Sequence, residues 1–167
     1  MIPLLSLNSS HVAALDVGEF VEATLRSTVV AALRARLASN RVPTEAAFVA
    51  AALARFERII VGAELPNASR FDGRNRVQRS AYALAHSRIF SRLMKVAPRQ
   101  LIPCGNRDLD AVVIRGRERY AIRFTNFISA FDQLATARAA ARAANTSDVL
   151  IVSLATGGCR RFSLAQA

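Results

Sequence analysis

Tryptophan is absent from the 167 residues, lysine occurs once, and tyrosine, histidine and cysteine twice each. With Tyr82 and Tyr120 as its only tyrosines, the chain has few of the flat side chains on which single-stranded bases stack. Cys104 and Cys159 lie far apart and belong to no Cys-x-x-Cys pair, which argues against a disulfide framework or a zinc site and suits reduced thiols. His11 and His86 supply little material for a transition-metal centre. No Gly-x-Ser-x-Gly nucleophile elbow occurs, and Gly157-Gly158 lacks the Lys and Ser/Thr of a phosphate-cradling loop. The longest uninterrupted apolar run, Ala46 to Ala54, is too short and too alanine-rich to span a bilayer. Met1-Ile2-Pro3-Leu4-Leu5 lacks the basic flank and long apolar stretch of a signal peptide. The expectation is a cytoplasmic protein with no membrane partner.

What the chain does contain is apolar mass and arginine. A hydrophobic fraction of 52%, with only seven Gly and five Pro, predicts a packed globular domain with one core. The charge is divided unevenly. Residues 1–69 balance six Arg against six acids, whereas residues 70–167 set 17 basic residues against six acids and so carry the whole net charge of +11. A field of that sign attracts phosphate-rich polymers or acidic protein surfaces. All basic residues except Lys95 are Arg. Codon bias of a GC-rich genome explains that excess, and so does selection for the planar guanidinium fork that suits phosphate and carboxylate.

The first half has a helical period. Val21, Leu25, Val29, Leu33 and Leu37 recur every four residues and predict a helix over 17–39, with Glu22 and Arg26 a favourable i,i+4 pair and Asn40 at its end. A second helix runs from Pro43-Thr44 to about Val61, with Phe48, Ala52, Phe56, Ile59 and Ile60 as its buried stripe and Gly62 at C′. Residues 63–75 are rich in turn formers and predict a loop, followed by a third helix over 76–95 that stops before Pro98. The period then changes. Leu109–Arg115 and Arg119–Phe124 flank Gly116-Arg117-Glu118 as a hairpin, with a further strand in Gln100–Pro103. Ser129 caps a helix to Ala144 with Asn145 at its end, Val149–Ser153 is a strand buried on both faces, and Arg160–Leu164 adds an edge. The order αβββαβ predicts an α/β fold with a mixed sheet: a helical N-terminal extension (1–69) packed on an α/β core (70–167), together one compact domain.

Asp108-Leu109-Asp110-Ala111-Val112-Val113-Ile114, a Gly-containing turn, and Tyr120-Ala121-Ile122-Arg123-Phe124-Thr125 resemble the core of the PD-(D/E)XK, or restriction-endonuclease-like, superfamily. The resemblance covers roughly residues 76–155 and implies a restriction-endonuclease-like core. In that family a strand carries an Asp, and the strand after the hairpin carries Glu or Asp, one spacer and Lys. Asp110 stands at the first position, but Arg123 and Thr125 stand at the other two, and helix 76–95 contains no acid. Metal-assisted phosphodiester hydrolysis needs two or more carboxylates around Mg²⁺. The resemblance therefore implies a nuclease-like protein whose catalytic motif is lost and which needs no cofactor. Activity, and with it Mg²⁺, requires migrated ligands, for which Asp110, Asp108, Asp132, Glu118 and Gln133 are the candidates. The structural role for Asp110 is a cross-strand ion pair with Arg123.

Residues 70–99 hold eight basic residues and one acid, Asp72. Arg74, Arg76 and Arg79 lie in this patch, and Arg88, Arg92 and Lys95 share one helical face at i, i+4, i+7, where like charges repel one another. A polyanion along that face gives a reason to keep them. Arg115 and Arg117 mark the hairpin, and Arg138 and Arg142 form a second i,i+4 stripe. Phe20, Phe48, Phe56, Phe90 and Phe131 have core-like spacing, and Phe71 and Phe127 suit local plugs, so duplex backbone contact is favoured over base stacking. The leading expectation is a non-catalytic nuclease-like protein that binds nucleic acid, more readily duplex, through these residues. The alternatives are a protein-interaction or homodimerisation module using the apolar faces of the N-terminal helices, and a metal-dependent nuclease with migrated ligands.

Overall fold

The structure, a computed structural model, describes residues 9–63, 65–126 and 129–164, with side chains from residue 17 onward. Its elements are α1 (Ser9–Ser39), α2 (Glu45–Ile60), α3 (Asn67–Ala85), α4 (Arg88–Lys95), a 3-10 turn (Pro98–Gln100), β1 (Leu101–Pro103), β2 (Ala111–Arg115), β3 (Glu118–Thr125), α5 (Ala130–Ala144), β4 (Asp148–Ser153) and β5 (Cys159–Ser163). The strands form one mixed sheet in the order β1-β2-β3-β4-β5. All neighbouring pairs are antiparallel except β3 and β4, which run parallel and are joined through α5. Among the described residues no helix is long and apolar enough to cross a membrane.

Two cores sandwich the sheet. Val21, Leu25, Val29 and Leu33 of α1 pack with Phe48, Ala52 and Phe56 of α2 and Val77, Ala81 and Leu84 of α3 over the sheet face that carries Ala111, Val113, Ile122, Phe124 and Val152. On the opposite face, Ala137, Ala140, Ala141 and Ala144 of α5 cover Val112, Ala121, Val149 and Ile151. The period-2 alternation of β2, β3 and β4 sends successive side chains to the two cores. The ends of α5 are closed by its own sequence: the Ser129 hydroxyl accepts from Asp132 N, and Asn145 adopts the left-handed conformation.

Several expectations are corrected here. Residues 67–75 are helix rather than loop, because α3 packs against α1 and α2 and its first turns continue the buried face of Gly73, Val77, Ala81 and Leu84. Gly73 is the point of closest approach, since a Cβ there would sit 2.5 Å from Phe56 Cζ and 3.2 Å from Val17 Cγ1. The helix expected over 76–95 is broken at His86-Ser87, where the Ser87 hydroxyl accepts from Phe90 N and caps the start of α4. A division at 69/70 falls inside α3, so the layers change only after α4. Gly62 takes no left-handed C′ conformation, and α2 ends with Ala63 N donating to Ile60 O. The buried stripes of α1 and α2 pack against each other, α3 and the sheet, while Ala46, Ala50 and Ala54 of the Ala-rich run face solvent.

Two phenylalanines also depart from expectation. Phe131 is 80% exposed at the N-terminal end of α5, and Phe71 projects from α3 into solvent. Phe127 lies outside the described residues.

Candidate functional site

Asp110 precedes β2, and its side chain is 1% exposed. Its placement follows from the sheet edge: Asp110 N donates to Ile122 O, and Asp110 O accepts from Cys104 N and Gly105 N. Its carboxylate then meets three groups. Oδ2 accepts from Phe124 N at 2.8 Å and lies 3.6 Å from Arg123 Nη1, while Oδ1 accepts from Arg26 Nε at 3.0 Å. The expected cross-strand pair with Arg123 is present, and Arg26 of α1 adds a second cation. Burial pushes the Asp110 carboxyl up to about 6, against the attraction of Arg26 and the hydrogen bond from Phe124 N.

Glu22 stands on the other side of Arg123. Its Oε1 lies 3.4 Å from Arg123 Nη2 and 3.3 Å from Thr125 Oγ1, and its Oε2 accepts from Asn126 N at 3.3 Å. Arg123 is 9% exposed, and its Nε and Nη1 have no hydrogen-bond partner among the described residues. The charges alternate as Glu22, Arg123, Asp110, Arg26. A guanidinium fixed to the chain thus fills the space between the two carboxylates. A divalent cation 4 Å from it would meet a repulsion of about 8 kcal/mol at an effective dielectric constant of about 20. Among the described residues no group of three or more His, Cys, Asp or Glu side chains is placed to hold a metal.

The helix that serves this site is α1, so the absence of an acid in 76–95 does not leave it without a helical carboxylate. Glu22 and Arg26 do not form the i,i+4 pair their spacing suggested; each turns to the sheet instead. Both follow a buried residue of the α1 stripe, Val21 and Leu25, and so lie on the border of its apolar face. That border position beside a charged sheet end was the signal available in the sequence. Arg26 also donates through Nη2 to Asn106 O at 2.6 Å and Arg107 O at 3.2 Å, which ties α1 to the loop before β2.

The other acidic candidates have separate partners. Asp132 accepts from the Ser129 hydroxyl, the Glu118 carboxylate accepts from the Tyr120 hydroxyl, and Gln133 Oε1 accepts from Arg160 Nη1. Asp108 is exposed in the loop before β2. None of them joins Glu22 and Asp110 in a three-ligand group.

The ten basic candidates divide between surfaces. Arg74 is paired with Glu57 at 2.8 Å, Arg76 lies 3.8 Å from Asp72, and Arg79 Nε donates to Asn75 O. Arg88, Arg92 and Lys95 are exposed on α4, opposite its buried Phe90, Leu93 and Met94, and take part in no ion pair among the described residues. Arg115 and Arg117 are exposed at the hairpin. Arg138 and Arg142 are exposed on α5, across the sheet from α4. The helices and the sheet therefore keep the α4 and α5 stripes apart rather than merging them.

The chain matches no family model, no curated protein and no solved structure.

Proposed function

We propose that this protein is a non-catalytic relative of the PD-(D/E)XK nucleases that binds nucleic acid by its phosphate backbone. The observation that carries the reading is the Arg123 guanidinium between Glu22 and Asp110, in the space a catalytic metal would need. The αβββαβ order, the mixed sheet and the position of Asp110 beside β3 support the restriction-endonuclease-like core. Binding falls to the exposed Arg88, Arg92 and Lys95 of α4 and to Arg115 and Arg117 of the hairpin, which face solvent without carboxylate partners among the described residues. Like charges held together on one short helix gain most from a polyanion that releases its counterions.

Fluorescence anisotropy with a labelled duplex tests this reading. With roughly four phosphate contacts, affinity falls about 100-fold between about 50 and about 200 mM salt. The variant Arg88→Ala/Arg92→Ala/Lys95→Ala binds more weakly and loses about 2 to 3 from the log–log salt slope. A duplex that fails to bind at low salt, or binds with no salt dependence, overturns the proposal.

A further inference from the structure

The outer face of α5 carries a combination that the duplex reading does not use. Phe131, Ala135, Arg138 and Arg142 follow one another at steps of four, three and four residues and so form one stripe along the helix. All four are exposed. The stripe points away from the sheet, because Ala137, Ala140, Ala141 and Ala144 make the buried face. At 1.5 Å per residue it is about 16 Å long. Between the ring and the first guanidinium lie the exposed Ala135, whose methyl group is small, and, at the edge of the stripe, the half-buried Leu134. The stripe ends beside the hairpin, where Arg119 Nη1 donates to Ala144 O at 3.2 Å.

Arg142 in the last turn has an ordinary use, since a cation there complements the helix dipole. That effect explains neither Arg138 nor an aromatic ring left 80% in water. Asp132 is the only acid on α5, and it is engaged by Ser129. The nearby Asp148 is engaged by Arg161 and Ser163. The face is therefore positive without an ion-pair partner among the described residues and has a flat apolar ring at one end. A duplex hides its base faces, and a protein partner would more often meet a larger apolar patch. A single strand offers both a phosphate chain and unstacked bases.

We propose that α5 is a second nucleic-acid surface that takes a single-stranded segment, with a base stacked on Phe131 and phosphates on Arg138 and Arg142. It is distinct from the α4 face to which duplex binding is assigned.

The test is anisotropy of the intact protein with labelled oligothymidylate and oligouridylate of about 20 nucleotides and with a duplex. Phe131→Ala weakens single-strand binding about tenfold and leaves the duplex unaffected, while Phe131→Trp retains it. Arg138→Ala/Arg142→Ala weakens it and lowers the salt slope by about 1.4, the single-strand value for two contacts. Binding of only one oligomer identifies DNA or RNA as the ligand and supports the site. Single-strand affinity unchanged in both α5 variants overturns the inference, as does full rescue by Phe131→Leu, which would mark an apolar contact without stacking. If the α4 triple variant loses duplex and the α5 variants lose nothing, this inference fails and the backbone reading stands. If the wild type binds no nucleic acid, both fail.

Discussion

Replacing Arg26 with Met is expected to destabilise the protein by about 3 kcal/mol at pH 7 and by much less at pH 4. Arg26 is the nearest cation to the buried Asp110 carboxylate, at 3.0 Å, and the only one of its two whose geometry makes a hydrogen bond. Removing one partner of such a pair leaves a desolvated charge behind, which is the expensive way to break it. The pH dependence follows from Asp110 itself. Its carboxyl is raised from 3.8 to about 6 in the folded protein, so the native state keeps a proton between those values that the unfolded chain gives up. The stability contributed by this group is therefore greatest below about pH 4 and falls by about 3 kcal/mol as pH rises through about 6. With Arg26 gone the carboxyl rises further, but at pH 4 the folded carboxyl is neutral in the protein with or without Arg26 and the unfolded chains titrate alike, so only packing and the bonds to Asn106 O and Arg107 O are lost. Urea unfolding at both pH values checks this, with Asp110→Asn as the variant that removes the pH-dependent part. Asp148, held below its ordinary value by Arg161 and Ser163, loses its contribution as pH falls, and this cancels when variants are compared. An equal cost of Arg26→Met at pH 4 and pH 7 would show that Asp110 is not the group it serves.

Gly157→Ala is expected to cost about 3 kcal/mol, the sum of a left-handed backbone that disfavours a side chain and an overpacked contact. Gly157 has φ +67°, and a Cβ there would lie 2.4 Å from Ser87 Cβ and 3.0 Å from Ala83 O. Neither neighbour can yield easily. Ala83 O is backbone inside α3, and Ser87 holds the first turn of α4 through Phe90 N. The β4–β5 turn therefore presses directly on the joint that aims α4 and its three basic residues. For a chain of this size the loss corresponds to a drop in Tm of about 9 °C. Gly62→Ala, where nothing lies within 4 Å of the new Cβ, is the control and should change Tm little.

Local signals in the sequence carried most of the second half. Ser129 and Asn145 framed α5 because caps act through their own backbone, and the β2–β3 hairpin followed from its Gly116 turn, which has φ +61°. The pairing of Asp110 with Arg123 followed from their places on neighbouring strands. What was hidden depends on packing between elements distant in the chain. The Asn, Ser, Asp and Gly of 67–75 look like a turn until α1 and α2 are laid against the Gly73 face of α3. Glu22 and Arg26 are 101 and 84 residues from their partners Arg123 and Asp110, so helical spacing alone gave them to each other. Phe131 looked like core from its spacing. It lies six residues before the buried Ala137, about 240° round the helix, and therefore on the outer face.

A gel of supercoiled plasmid incubated with the protein and Mg²⁺ or Mn²⁺ tests the central claim most directly, because it reads holding and cutting in one lane. The account predicts a retarded plasmid at low salt that, once the protein is stripped away, migrates as intact supercoil with either metal. Nicked or linear plasmid that disappears with Asp110→Ala would contradict it, since the Arg123 guanidinium would then not exclude a catalytic cation from between Glu22 and Asp110.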